Sequence, residues 1–451
     1  MAASSSAAPR GIARLFNVEQ REVQAVLAGL LMFFLLFTAY FMLRPVRETM
    51  GIAGGVRNLQ WLFTGTFVAT LLTLPIFGWL ASKLPRRTLL PWVYAGCAAV
   101  LLGFAASFWA TPGNVWSARV FYIWLSVFNL IAISLAWSVL ADVLVASQAK
   151  RTFALIASGA SIGGLVGPIL GAVLVGPMGH AGLLLIAALL LLASASAAAW
   201  LHRWKDAHPL EEDADTPVER RKPLGGNPFA GATATLRSPY LLGITLFVIL
   251  LASINTFLYF EQARLVAQHF PDPTQQTRVF GLIDTVVQAL SLLCQVLVTG
   301  RLAKRLGVGV LLVSVPVAMA VGFVALAIAP MFAIFVVVMV LRRVGEYALV
   351  RPGREMLYTV IPAEEKYKAK NFIDTVVYRG GDAVSAWLKR AIDVVSDSPA
   401  AAMVIGAFLA AGWGLCGFFL GRRERALEAS QTLNKHSTAT GAMADAYLER
   451  R

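Results

Sequence analysis

Gly78-Trp79-Leu80-Ala81-Ser82-Lys83-Leu84 and Gly300-Arg301-Leu302-Ala303-Lys304-Arg305-Leu306 are near copies of one another, and each closes a long apolar segment. A basic turn repeated at equivalent points marks a helical membrane protein built from two similar halves. On either side of these turns, apolar runs long enough to cross about 30 Å of hydrocarbon as helix recur along almost the whole chain. Six precede the middle of the sequence, approximately Val23–Leu43, Leu59–Leu80, Leu89–Ala110, Val120–Val145, Phe153–Val175 and Ala181–Leu201. Six follow, approximately Tyr240–Phe260, Val279–Thr299, Val308–Ala329, Phe332–Val350, Asn371–Leu388 and Ala400–Leu420. The eleventh is interrupted by Asp374, Arg379 and Asp382.

Composition agrees. The 451 residues are 58% hydrophobic and 14% charged, with a mean hydropathy of +0.68, more apolar surface than a water-soluble protein of this size hides in its cores. Most of the 39 Lys and Arg lie in segments that a cytoplasmic N-terminus would place inside, so both termini are expected in the cytoplasm. The net charge of +14 then reads as an orientation signal and an attraction to anionic lipid, with no nucleic-acid partner expected. Residues 1–20 are polar and lead into a full span without a small-residue cleavage site, so the first helix is expected to be retained. Cys97, Cys294 and Cys416 fall within spans, and the five histidines are dispersed, so neither a metal site nor a cofactor is expected. With no Walker loop, a nucleotide would be cargo and not fuel, and the chain is not expected to be an enzyme.

The domain plan predicted is a six-helix half over 1–201, a cytoplasmic linker over 202–239, a second half over 240–420 and a cytoplasmic tail over 421–451. The linker carries Glu211-Glu212-Asp213 and Arg220-Arg221-Lys222 and has no sustained apolar period. Ala146–Ile156, with Lys150-Arg151, is echoed by Pro362–Ile373, with Lys366, Lys368 and Lys370. Two parallel repeats of six helices are the signature of a large class of secondary transporters. A monomer is the expected unit.

Gly78–Arg87 resembles the loop between the second and third helices of the major facilitator superfamily, with Ser82 where that family has Asp. The resemblance implies an all-α, twelve-helix bundle around a central cavity that opens alternately to each side. Its gating positions would be Gly78, Lys83, Arg86 and Arg87, and Gly300, Lys304 and Arg305 in the second half. Gly163-x-x-x-Gly167-Pro168-x-x-Gly171 resembles a fifth-helix motif of that superfamily's exporters and antiporters, and its small residues and proline also suit a kinked, closely packed helix.

A more specific likeness follows the tenth span. Arg351-Pro352-Gly353-Arg354-Glu355-Met356-Leu357-Tyr358, then Lys366-Tyr367-Lys368-Ala369-Lys370 and Ile373-Asp374, is similar to the ATP/ADP exchange translocases of plastids and intracellular bacteria. Arg351 stands for that family's Asp and Arg354 for its Lys. Arg44-Pro45-Val46-Arg47-Glu48 and Gln148-Ala149-Lys150-Arg151-x-Phe153 are weaker echoes in the first half, and Glu261 lies near an acidic position of the family. The resemblance implies exchange of a nucleotide across a bacterial inner membrane.

Charge arithmetic leads to the same candidates. A polyphosphate anion at membrane depth needs several cations, and guanidinium offers bidentate donors to phosphate. The expected substrate contacts are Arg44, Arg47, Arg354 and Arg379, with Tyr40. Glu48, Glu261, Glu355, Asp374 and Asp382 are expected to balance them or to carry protons. Arg342 and Glu346, four apart, suit an internal ion pair. Asp374 and Asp382 suit either a charge network with Arg379 or a proton path, and Lys366, Lys368 and Lys370 suit orientation charges. The expected function is secondary transport of a nucleotide or similar anionic metabolite by exchange or ion coupling. The alternative is a proton-driven exporter of another metabolite or a drug.

Overall fold

The computed structural model describes residues 22–144, 146–208, 230–396 and 398–448. The expectations for residues 1–20 and for the centre of the linker lie outside the described residues, as do the side chains of Ser82, Arg86, Lys150 and Lys304. Every regular element among the described residues is helical. In chain order these are α1 (Val23–Ala53), α2 (Leu59–Lys83), α3 (Arg86–Ala110), α4 (Val115–Val143), α5 (Ala146–Ala207), α6 (Ala230–Arg237), α7 (Pro239–His269) and α8 (Pro273–Cys294). There follow α9 (Gly300–Leu306), α10 (Val308–Ile328), α11 (Phe332–Gly345), α12 (Arg351–Leu357), α13 (Ala363–Phe372), α14 (Tyr378–Val395) and α15 (Pro399–Leu448).

Among the described residues, nine helical stretches are long and apolar enough to cross a membrane. One of them, Arg151–Ala207, runs for 57 residues. Its backbone leaves helical angles at Gly179 (φ 64°, ψ −179°), a left-handed conformation that glycine adopts without a Cβ penalty, so α5 holds the fifth and sixth predicted spans. Charges keep Phe332–Val350 and Asn371–Leu388 out of the nine, although both are helical. The set is consistent with the predicted twelve.

The chain divides into two compact units, the first comprising Met1–Gly226 with Ala263–Gln288 and the second Asn227–Gln262 with Ala289–Arg451. In the first, α1 packs along α5 through a glycine stripe. A Cβ at Gly159 would stand 2.2 Å from the Leu30 carbonyl oxygen, at Gly163 2.5 Å from that of Phe34, at Gly167 2.7 Å from that of Thr38, and at Gly171 3.0 Å from that of Met42. Steps of four on both helices keep the backbones in contact, the small-residue solution to packing in lipid. Beside this seam Phe33 meets Trp137 with ring centroids 4.5 Å apart. Trp61, Leu72, Ile76 and Trp79 of α2 point outward, an apolar face suited to acyl chains.

The second unit has its own close seam between α10 and α15. A Cβ at Gly421 would lie 2.5 Å from the Gly309 Cα, at Gly417 3.0 Å from the Leu312 carbonyl oxygen, and at Gly406 2.6 Å from the Phe323 ring. Three π-helical turns interrupt helices of this unit, at Gln295–Thr299, Glu346–Val350 and Ile373–Val377. A π turn displaces local carbonyls from their usual donors, and two turns answer each other here. Gln295 donates to the Tyr347 carbonyl (3.1 Å) and Thr299 to that of Ala348 (2.7 Å).

Candidate functional site: buried ion pairs in each unit

In the first unit the charges sit on the last turns of α1, around Pro45. Arg47 pairs with Glu48, donates to the Ser126 hydroxyl (3.3 Å) and lies 5.2 Å over the Tyr122 ring. Arg44 lies 3.7 Å from the Asp284 carboxylate and 5.9 Å over the Phe41 ring. Tyr40 packs its ring against Phe41. Arg44, Arg47 and Glu48 are thus each enclosed by aromatic rings or an opposite charge, which makes ions tolerable at this depth. Below them the Thr49 hydroxyl meets that of Thr277 (2.7 Å), which also meets His180 Nε2 (2.9 Å).

In the second unit Glu346 is a hub. Its carboxylate takes Arg342 on one oxygen (3.2 Å) and faces Arg351 with the other (3.8 Å). Arg342 is four residues back, as expected of a helix, whereas Arg351 is five residues on, which an α-helix would rotate away. The π turn at Glu346–Val350 brings position i+5 round to the same face. Asn255 of α7 closes the group, accepting from Arg342 and donating to the Tyr378 hydroxyl (3.1 Å). Arg343, beside Arg342, is also buried.

The three remaining predicted acids of the loop after the tenth span and of α14 are shared out differently from the expected network. Arg379 pairs with Asp382 (3.5 Å), whose carboxylate also faces the Thr256 hydroxyl (3.4 Å). Asp374, in the π turn at Ile373–Val377, turns instead to Arg354 (3.2 Å). Glu355 pairs with Lys370 (2.5 Å). Tyr358 lies between the spans and is fully buried, so its phenol is pushed above the ordinary range, first by burial and then by Asp374. Glu261 is buried in α7.

The positions expected to gate lie near helix ends, Gly78 and Lys83 in the last turns of α2, Arg86 and Arg87 at the start of α3, and Gly300, Lys304 and Arg305 in α9. α2 ends at Lys83, and Arg87 finds a carboxylate in Asp206 at the end of α5 (2.7 Å). Gly300 opens α9 directly after a π turn, and Arg301 donates to the Leu297 carbonyl (2.7 Å). Gly163, Gly167 and Gly171 serve the α1–α5 seam, and Pro168 lies within α5. Sequence reasoning missed Tyr378, the buried Lys389 with its partner Asp393, and Glu22, which receives Arg151 (2.8 Å) and Gln148 (3.1 Å). The conspicuous Lys-Arg at 150–151 was the available signal for the last.

A multi-pass, all-helical membrane protein with ion pairs buried in both units is the build of a secondary transporter. The chain belongs to the Major Facilitator Superfamily, whose family model matches residues 25–271. Its relatives include "ADP,ATP carrier protein 1" of Chlamydia trachomatis serovar D, 24% identical over 458 aligned positions covering 85% of each chain. The protein of the same name from Chlamydia muridarum is 25% identical over 452 positions, covering 85% of this chain and 84% of that one. Among solved structures, a bacterial homologue of the iron transporter ferroportin in its inward-facing state superposes with a TM-score of 0.62 at 16% identity, over 90% of this chain and 100% of that one. That likeness shows the fold alone.

Proposed function

We propose that this transporter exchanges a nucleotide, ATP or ADP, or a closely similar anionic metabolite across a bacterial inner membrane, with both termini cytoplasmic. The observation that carries the reading is the match to the two chlamydial ADP,ATP carriers over most of both chains. Chemistry supports it. Arg44 and Arg47 in one unit and Arg354 and Arg379 in the other offer guanidinium groups to phosphate, each held by a carboxylate. Glu48, Asp374 and Asp382 are the counter-charges that a substrate phosphate would replace, and Asp382, beside Thr256, is the best placed to carry a proton.

The proton-driven exporter draws on the fifth-span glycine motif and on the substitutions within the nucleotide-carrier signatures, such as Arg351 and Arg354. Close packing of α1 on α5 accounts for those glycines without an exporter role, so the motif adds no weight to that reading. Uptake of labelled ATP into proteoliposomes loaded with ADP tests the proposal. ATP enters ADP-loaded vesicles without a proton gradient if it is right. Uptake that requires the gradient and ignores ADP supports the exporter.

A further inference from the structure

Beyond the pairs buried in the spans, α12 and α13 hold a second arrangement. Arg354 and Glu355 are neighbours on α12, while Lys370 and Asp374 are one helical turn apart on the facing segment. The pairs Lys370–Glu355 (2.5 Å) and Arg354–Asp374 (3.2 Å) form two rungs of a ladder. The rungs are graded in depth. Glu355 has half its side chain exposed and Lys370 about a third, whereas Arg354 retains 13%. Beyond the inner rung lies Tyr358, with no exposed surface.

The inner end is incompletely satisfied. The Tyr358 hydroxyl and Arg354 Nε are buried and have no hydrogen-bond partner among the described residues, and Asp374 Oδ1 meets only the Arg354 guanidinium of the inner rung. Such groups cost free energy unless something supplies the missing bonds. The backbone beneath is fixed. A Cβ at Gly231 of α6 would stand 2.0 Å from the Lys368 carbonyl oxygen, so α6 seats directly on α13, and the Tyr240 hydroxyl donates to the Leu357 carbonyl (3.0 Å) at the end of α12. Rigid backbone with exchangeable side-chain pairs is the construction of a binding site.

We propose that Lys370, Arg354 and Tyr358 form a binding station for a phosphoryl group, in which the incoming anion takes the places held by Glu355 and Asp374. An ammonium at the mouth, a guanidinium behind it and a hydroxyl at the floor are three kinds of donor that a tetrahedral oxyanion accepts from. The two carboxylates are internal stand-ins for that anion, so the cations are never left unpaired. The site rests on the reading of the protein as a carrier of phosphate-bearing substrates and places a first contact outside the spans.

Pyrophosphate binding to the full chain in phosphatidylcholine nanodiscs, followed by calorimetry, tests the station separately from transport. Lys370→Met and Tyr358→Phe each weaken pyrophosphate binding, by about tenfold or more for the charged donor. Glu355→Gln removes a competing anion and strengthens binding several-fold. That inverted sign separates a displaced stand-in from a purely structural ion pair, which predicts no gain. Unchanged affinity in Tyr358→Phe, or no gain in Glu355→Gln with the protein folded by its melting profile, overturns the station. Loss of pyrophosphate binding in nanodiscs rich in phosphatidylglycerol assigns the same donors to a lipid headgroup and overturns the soluble-anion claim. Pyrophosphate binding that follows these rules while ATP–ADP exchange is absent leaves the station standing and removes the nucleotide reading.

Discussion

Replacing Gly163 by alanine tests the backbone-to-backbone seam between α1 and α5 at its centre. The new Cβ would lie 2.5 Å from the Phe34 carbonyl oxygen and 2.9 Å from the Thr38 nitrogen, both backbone atoms that cannot rotate aside. Non-bonded heavy atoms are most comfortable near about 3.5 Å, so α1 and α5 must part by about 1 Å at this point. A gap of that size forfeits roughly a quarter to a half of the dispersion energy of each contact across the seam. Overpacking of this kind costs about 1–3 kcal/mol, while alanine returns about 1 kcal/mol of helix propensity, leaving a net loss of up to about 2 kcal/mol. Gly96 of α3 is the control, since a Cβ there meets nothing within 4 Å. Thermal unfolding in detergent should show Gly163→Ala melting several degrees below the parent and Gly96→Ala melting at or above it. If Gly163→Ala melts with Gly96→Ala, the helices are not packed backbone to backbone, and the reasoning fails.

Other consequences follow from the ion pairs. Glu346→Ala leaves Arg342 buried without its carboxylate and should cost about 3–5 kcal/mol, most of it recovered by the double substitution Arg342→Met/Glu346→Leu; melting temperatures of the three variants decide this. Thr277→Val removes the hydroxyl shared by Thr49 and His180 and should lower stability by about 1 kcal/mol, seen as a small fall in the unfolding midpoint. Arg47→Ala should abolish uptake of labelled ATP without loss of folded protein, and normal uptake would remove Arg47 from the substrate's path.

Apolar run length made the helices legible, because a bilayer imposes one span length on every crossing. The glycine stripe at 163, 167 and 171 was legible for the same kind of reason, a spacing of four on one helix face, although Gly159 extends it by another turn. The α10–α15 seam was not, since Gly406, Gly417 and Gly421 do not recur at a regular spacing of four. Charge placement was legible as a list of residues and not as pairs. Arg342–Glu346 follows helical spacing and was foreseen, whereas Glu346–Arg351 depends on a π turn, which no residue pattern announced, and Arg354–Asp374 joins two separate helical segments. Tyr358 looked like one residue of a family motif, and only its burial and its orphaned hydroxyl single it out.

The central claim, exchange of ATP and ADP, is tested most directly by counterflow. Proteoliposomes are filled with labelled ADP, no ion gradient is imposed, and ATP is added outside. Efflux of label that begins with external ATP, saturates with its concentration and is absent with buffer alone is the predicted result. Label that stays inside when ATP is added, or leaves equally without it, contradicts the account.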